Sequence, residues 1–150
     1  MVRIEPVTER TRAAAVDLLT RFFQEEGFAL PTQGIAANLA FLLDNGAGWA
    51  ALARHEDDIV GIVTVTTMYY VEWGRYGEIG DLYVLPPKRR RGIARHLVAA
   101  AADWCRRKGC SAVSVTITPE GDTRHDLSKF YERMNFRRTG RTIMSAALAS

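Results

Sequence analysis

The sequence predicts a mixed α/β fold: a mostly antiparallel sheet of six to seven strands, flanked by about four helices, with one parallel strand pair at its centre. Three observations predict it. Segments of strand periodicity and segments of helical periodicity alternate along the whole chain. Polar turns at 55–58 and 74–77 join consecutive strands directly, which makes those pairs antiparallel. The stretch EIGDLYVLPPKRRRGIARHLVAAAA, Glu78–Ala102, reads as strand, turn and helix, and a helix between two strands is a crossover that makes that pair parallel. At 150 residues the chain is expected to form one domain, residues 1–150, large enough to bury a single core.

Each element follows from its residues. Val2 to Pro6 alternates and suits an edge strand. Thr8 is a fair N-cap for a helix whose apolar face is Ala14, Leu18, Leu19 and Phe22, stopped at Gly27. Ile35, Leu39, Leu42 and Leu43 mark a second helix between Pro31-Thr32 and Asn45-Gly46. Trp49–Arg54 and the long run Ile59–Trp73 are the next strands, followed by the strand Ile79–Leu85. A helix begins at Gly92, with Ile93, Leu97, Val98 and Ala101 on one face, and stops at Lys108-Gly109. Ser111–Ile117 is a strand, 118–123 a loop, 124–134 a short helix, and 136–148 one or two last strands broken near Gly140.

The joint between Leu85 and Gly92 carries the chemistry. Pro86 and Pro87 end the strand because neither can donate to a ladder. Gly92 lacks a Cβ, so a ligand can approach the backbone where the first helical N–H groups are unpaired. Those donors and the positive end of the helix dipole favour an anion, above all a phosphate or pyrophosphate. Lys88, Arg89, Arg90 and Arg91 add positive charge at the same spot. A solvated basic loop is the plain alternative for that charge run. Neither G-x-x-x-x-G-K-[ST] nor G-x-G-x-x-G occurs, so this is not a P-loop or a dinucleotide fingerprint.

The string Val84-x-Pro86-x-x-Arg89-Arg90-x-Gly92-Ile93-Ala94 resembles motif A of the GNAT superfamily of acetyl-CoA-dependent N-acetyltransferases, whose core is [Q/R]-x-x-G-x-[G/A]. Leu127 to Phe136, with Phe130-Tyr131-Glu132 at its centre, is similar to the A-x-x-F-Y-E-x-x-G-F segment of the same family. The two motifs stand in the family's order and span roughly residues 78 to 136. The resemblance implies a GNAT fold in which the parallel strands splay apart and admit the pantetheine arm of acetyl-CoA. It assigns the arm to main-chain groups of Leu82, Tyr83 and Val84, and the pyrophosphate to the backbone amides of Arg89, Arg90, Arg91, Gly92, Ile93 and Ala94. The segment departs from the family at Asn135 for glycine, Leu127 for alanine and Arg124 for a frequent asparagine. Asparagine accepts a left-handed helix end, so the first departure is tolerable.

Amide formation needs a base for the ammonium and an acid for the departing thiolate. Glu78, eleven residues before Arg89, matches the offset of the glutamate base in the family's histone-acetylating branch. Period two puts Glu78, Gly80, Leu82 and Val84 on one face and Ile79, Asp81 and Tyr83 on the other. A bulge at Gly80 would break that phase, which keeps Asp81 a candidate. An exposed strand-end carboxylate is the plain alternative for Glu78, and many members use a water chain. Tyr131 matches the family tyrosine that donates to the coenzyme sulfur; a core aromatic is its alternative. Glu25, Glu26, Tyr69, Tyr70, Glu72 and Trp73 could line the acceptor pocket, where carboxylates and aromatics would suit a cationic amine.

Composition bounds the rest. A net charge of +3 is mild, and 47% hydrophobic with 25% charged residues is ordinary for a soluble domain. The second basic cluster, Arg106 to Lys108, suits a helix C-terminus. His55, His96 and His125 are scattered, Cys105 and Cys110 form no C-x-x-C, and no metal site is expected. No G-x-S-x-G elbow supports a serine hydrolase. The N-terminus MVRIEPVTE is too polar for a signal peptide, and no apolar run approaches the ~20 residues of a membrane helix, so a cytoplasmic protein without a membrane partner is expected. The expected activity is acetyl transfer from acetyl-CoA to a primary amine by direct attack: a small cationic amine, an aminoglycoside, an amino acid or a peptide amine. Homodimer formation is compatible with it. A noncatalytic acyl-CoA sensor of the same fold is the alternative from another class. A nucleic-acid module using the 88–91 loop is a third, and no interleaved aromatics support it.

Overall fold

In the computed structural model, which describes residues 1–148, the chain divides into two compact units, Met1–Thr116 and a second from Ile117 onward. The first holds β1 (Val2–Pro6), α1 (Arg12–Glu25), α2 (Thr32–Asp44), β2 (Gly48–His55), β3 (Asp58–Tyr70), β4 (Gly74–Val84), a 3-10 turn at Pro86–Lys88, α3 (Ile93–Arg107) and β5 (Val113–Val115). The strands lie in sequence order, β1-β2-β3-β4-β5. Every pair is antiparallel except β4 with β5, which the α3 crossover makes parallel.

The β3–β4 register divides the sheet into two faces, because directly opposed residues point the same way. Ile62 opposes Tyr83, Thr64 opposes Asp81 and Thr66 opposes Glu78, so these six share one face. Ala50, Leu52, Ile62 and Tyr83 on that face pack with Ala15, Leu18 and Leu19 of α1 and Ile35 and Leu39 of α2. Val63 with Leu82 and Val65 with Ile79 belong to the other face, and Gly61 opposes Val84 there. The buried stripe of α3, Ile93, Leu97, Val98 and Ala101, covers it. A Cβ on Gly61 would come within 3.1 Å of Leu97, and one on Gly77 within 2.5 Å of the Cys105 sulfur. The helix approaches that closely only because these strand positions carry no side chain.

Three boundaries in this unit differ from the expectation. β3 stops at Tyr70, the turn is Val71–Trp73 and β4 starts at Gly74, so the hairpin reverses three to four residues earlier than the Gly74–Gly77 turn read from the sequence. Gly74, with φ 70°, takes the left-handed position that closes the reversal, and its Cα partner is Tyr70. β5 shrinks to Val113–Val115. The first helix is capped at Thr11, and Thr8 accepts the Thr11 N–H through its carbonyl at 3.0 Å.

The second unit corrects the reading of the C-terminal part. The expected loop at 118–123 is helical: α4 spans Pro119–His125 and α5 spans Leu127–Glu132. Thr118 caps α4 by accepting the Gly121 N–H at 3.0 Å, with proline first and acids in the opening turn. Asp126, at φ 50°, breaks what was read as one helix. Asp122 braces the break by accepting the Ser128 N–H and hydroxyl, each at 2.9 Å. Asn135 does adopt a left-handed conformation, φ 69°. No strand forms within 136–148, where Ile143, Met144 and Leu148 stay exposed and find no core to alternate against. Among the described residues the sheet therefore has five strands rather than six or seven, and five α-helices accompany it rather than four.

The contact at Gly77 can be tested directly. Gly77→Ala drives a methyl into the Cys105 sulfur and destabilises the protein by about 1–3 kcal/mol. Cys105→Ala removes the sulfur and leaves the Cβ, 3.6 Å from that methyl, as an ordinary contact. In urea unfolding the double variant recovers most of the loss; strict additivity would show that the two positions do not meet.

Candidate active site

β5 pairs with β4 only through Gly77–Ile79. β4 then runs on through Asp81, Leu82, Tyr83 and Val84, still paired with β3 on its other side. The parallel pair is thus closed at one end and open at the other. A strand edge that outruns its neighbour offers main-chain groups to an extended ligand. Leu82 is half-buried, while Tyr83 and Val84 are buried.

The chain leaves β4 through the 3-10 turn and enters α3 through two left-handed residues, Arg90 (φ 64°) and Gly92 (φ 79°). A Cβ added to Gly92 would meet nothing within 4 Å, so the helix head faces open space. The Arg90 and Arg91 side chains are exposed beside it, Ile93 is buried as an anchor, and Ala94 is half-buried. The Arg89 side chain is folded back. Its Nε donates to the Val84 carbonyl at 2.9 Å and its Nη2 to Glu25 Oε1 at 2.7 Å, with the guanidinium 5.5 Å from the Tyr83 ring centre. Tyr83 Oη donates to Glu25 Oε2 at 2.9 Å. Glu25, expected on the acceptor side, thereby ties the end of α1 to β4 and to the basic loop. Burial and the neighbouring Glu25 carboxylate both raise the Tyr83 phenol, which stays neutral and donating.

The bulge considered at Gly80 is present. Thr64 opposes Asp81, Val65 opposes Ile79, and Gly80 is the residue left over. It reverses the phase of β4, so Glu78 and Asp81 share the α1–α2 face instead of lying on opposite faces. Thr64, 3% exposed, donates its hydroxyl to Asp81 Oδ2 at 2.6 Å. Burial lifts Asp81 above the usual carboxylate range and Thr64 draws it part of the way back. Glu78 is half-buried. Thr64 escapes sequence reading because its partner depends on the register across a bulge.

Farther along the same face, Tyr70, Trp73 and Tyr76 form a cluster with ring centres 5.2–5.6 Å apart. Tyr76 is absent from the residues expected there because the expected turn covers it; pairing Tyr76 with Met68 needs the earlier reversal. Tyr69 is 78% exposed, Glu72 is exposed and Glu26 half-buried. In the second unit Tyr131 is buried, its ring 4.9 Å from Phe130 and 5.1 Å from Phe136. Burial pushes its phenol well above the ordinary value, so it stays protonated at neutral pH. Cys105 is buried and its thiol is pushed up to about 12 by burial and by Cys110, which makes it a poor nucleophile. Among the described residues no group of three or more His, Cys, Asp or Glu could hold a metal ion, and no helix is long and apolar enough to cross a membrane.

Fold and loop together define a mixed α/β protein with an uncrowded helix head beside an open strand edge. The chain matches the family model described as the acetyltransferase (GNAT) family over residues 12–136, and it belongs to that family. Acetyl-CoA is the acyl donor of the family. The chain is 27% identical over 133 residues to the aminoalkylphosphonate N-acetyltransferase of Salmonella typhimurium, covering 88% of this chain and 80% of that protein. Over 62 residues it is 34% identical to the aminoglycoside N(6')-acetyltransferase type 1 of the same organism, covering 41% of each. Among solved structures, an aminoglycoside N-acetyltransferase in complex with CoA shares the fold with a TM-score of 0.85 at 20% identity, over 99% of this chain and 96% of that one.

The environment of Asp81 has a measurable consequence for stability. A carboxyl whose folded pKa exceeds its unfolded value favours the fold below the unfolded value, ~3.9, and loses that contribution as pH rises through the folded value. Asp81→Asn therefore melts higher than wild type at neutral pH, and the gap closes as pH falls towards ~4. A constant gap across that range would mean that Asp81 is not penalised by burial.

Proposed function

We propose that the protein is an acetyl-CoA-dependent N-acetyltransferase acting on the primary amine of a small cationic molecule. The observation that carries this reading is the open edge of β4 past Ile79, ending at a helix head with free space over Gly92. Acetyl-CoA supplies an acyl thioester that the amine attacks directly. Main-chain groups of Leu82, Tyr83 and Val84 hold its extended arm. The amides from Arg89 to Ala94, with the exposed Arg90 and Arg91, hold its pyrophosphate, while the Arg89 side chain and Glu25 keep that loop in shape. Glu78 or Asp81, which share one face, takes the proton of the incoming ammonium. Tyr131 donates to the departing sulfur. Glu26, Tyr70, Glu72 and Trp73 form the acceptor side, with Tyr76 added by the register, while Tyr69 alternates to the other face of β3.

The family match across residues 12–136 supports the chain acting as one catalytic domain. Two relatives named for the amines of aminoalkylphosphonates and aminoglycosides support a small amine acceptor. The unreactive thiol of Cys105 supports direct attack over an acetyl-enzyme.

Incubation with acetyl-CoA and a panel of amines, read as free thiol release, tests the activity; silence across the panel sinks it. Two substitutions test the parts. Gly92→Ala places a methyl in the space over the helix head, and acetyl-CoA affinity falls at least about tenfold by calorimetry. Wild-type affinity in a folded variant removes the cradle. Tyr131→Phe keeps the packing and lowers kcat about 10²-fold, the lower end for a general acid, with acetyl-CoA binding intact. If it unfolds the protein and leaves the surviving molecules fully active, the tyrosine is a core residue.

A further inference from the structure

We propose that Thr64 is a positioning residue of the reaction, whose hydroxyl holds the Asp81 carboxylate to accept a proton from the acceptor ammonium, directly or through one water. The inference rests on the acetyltransferase reading and adds a residue that no sequence motif marks. Three observations carry it. Asp81 is the second residue past the last rung of the β4–β5 ladder, where the parallel pair has opened. The bulge turns it to the face shared with Glu78. The Thr64 hydroxyl reaches it at 2.6 Å past Gly80, where a Cβ would crowd Thr64 Oγ1 at 3.1 Å.

Thr64 is buried and has one strong acceptor in reach, so its hydrogen is committed to Asp81 and the carboxylate has one fixed rotamer. A desolvated carboxylate accepts a proton more readily than an exposed one, and the Thr64 donor moderates that rise. The proton balance is simple. The ammonium loses a proton to Asp81, the neutral amine attacks, and Asp81 later releases that proton to water. Glu78 and Tyr83 share its face of β4, and Glu25 reaches that face from α1 through Tyr83. β3 and β2 bring Thr64, Thr66 and Ala50, none of them charged. Burial and the Thr64 hydroxyl alone account for the state of Asp81.

The test follows kcat/KM against pH together with the titration of the Asp81 carboxyl carbon by NMR. In Thr64→Val, which keeps shape and strand preference, both the acidic limb and the Asp81 titration move up by about one pH unit. Thr64→Ser returns both to wild type. An Asp81 titration that moves while the limb stays still takes Asp81 out of the proton path and overturns the proposal. Neither moving shows that the hydroxyl does not hold the carboxylate, which overturns it too, while acetyl transfer itself persists. If Thr64→Val does not fold, Asp81→Asn decides: loss of the acidic limb supports the assignment, and an unchanged profile rejects it. A wild-type protein inert towards every amine fails the acetyltransferase reading and this inference with it.

Discussion

The extra residue at Gly80 sets the side that each later residue of β4 faces. Because side chains alternate strictly, one inserted residue exchanges the faces of everything beyond it. Tyr83 thereby joins the core under α1 and α2, and Leu82 and Val84 fall to the α3 face. Without the insertion, a tyrosine and an aspartate would press into the α3 stripe of Ile93, Leu97 and Val98, where nothing could pair their polar atoms. The bulge satisfies the core and gathers two carboxylates on one surface in the same step.

A second constraint fixes the basic loop. After the 3-10 turn, left-handed conformations at Arg90 and Gly92 bend the path from β4 into α3. An arginine side chain bonded to the Val84 carbonyl and to Glu25 spans that path and holds its start against the sheet. A carboxylate at the last residue of α1 opposes the helix dipole, so Glu25 gains from Arg89 what it loses to its own helix. The charge of the loop is thereby divided. Arg89 serves the architecture, and Arg90 and Arg91 remain exposed to solvent.

Much of this is legible in the residues. Helices with a clear apolar stripe and a glycine stop, α1, α2 and α3, fall within a few residues of their expected limits. The Pro86 to Gly92 joint reveals the crossover, the parallel pair and the family, because its glycine and prolines act through the local backbone alone. What stays hidden depends on partners distant in sequence. The reversal at Val71–Trp73 uses a glycine only at its close, Gly74, and Gly74-Arg75-Tyr76-Gly77 offers a stronger turn signal that the pairing of Met68 with Tyr76 overrides. The bulge is visible only as a glycine able to break phase, and Thr64 has no local mark at all. The alternation after Phe136 imitates a strand, but periodicity without a neighbouring edge to pair with makes none.

The unequal ladders also order the events of folding. Turns of two residues after β2 and three after β3 let β2, β3 and β4 assemble by contacts between near neighbours in sequence. β5 must wait for the whole of α3 to form and dock before its three residues find Gly77–Ile79. Loop closure of that span is entropically the costlier step, and the short ladder returns little for it. The edge that opens towards a ligand is therefore bordered by a strand that joins after the β2–β3–β4 hairpins and holds by three pairs alone, so a bound molecule lying along β4 would stiffen a weakly held part of the sheet.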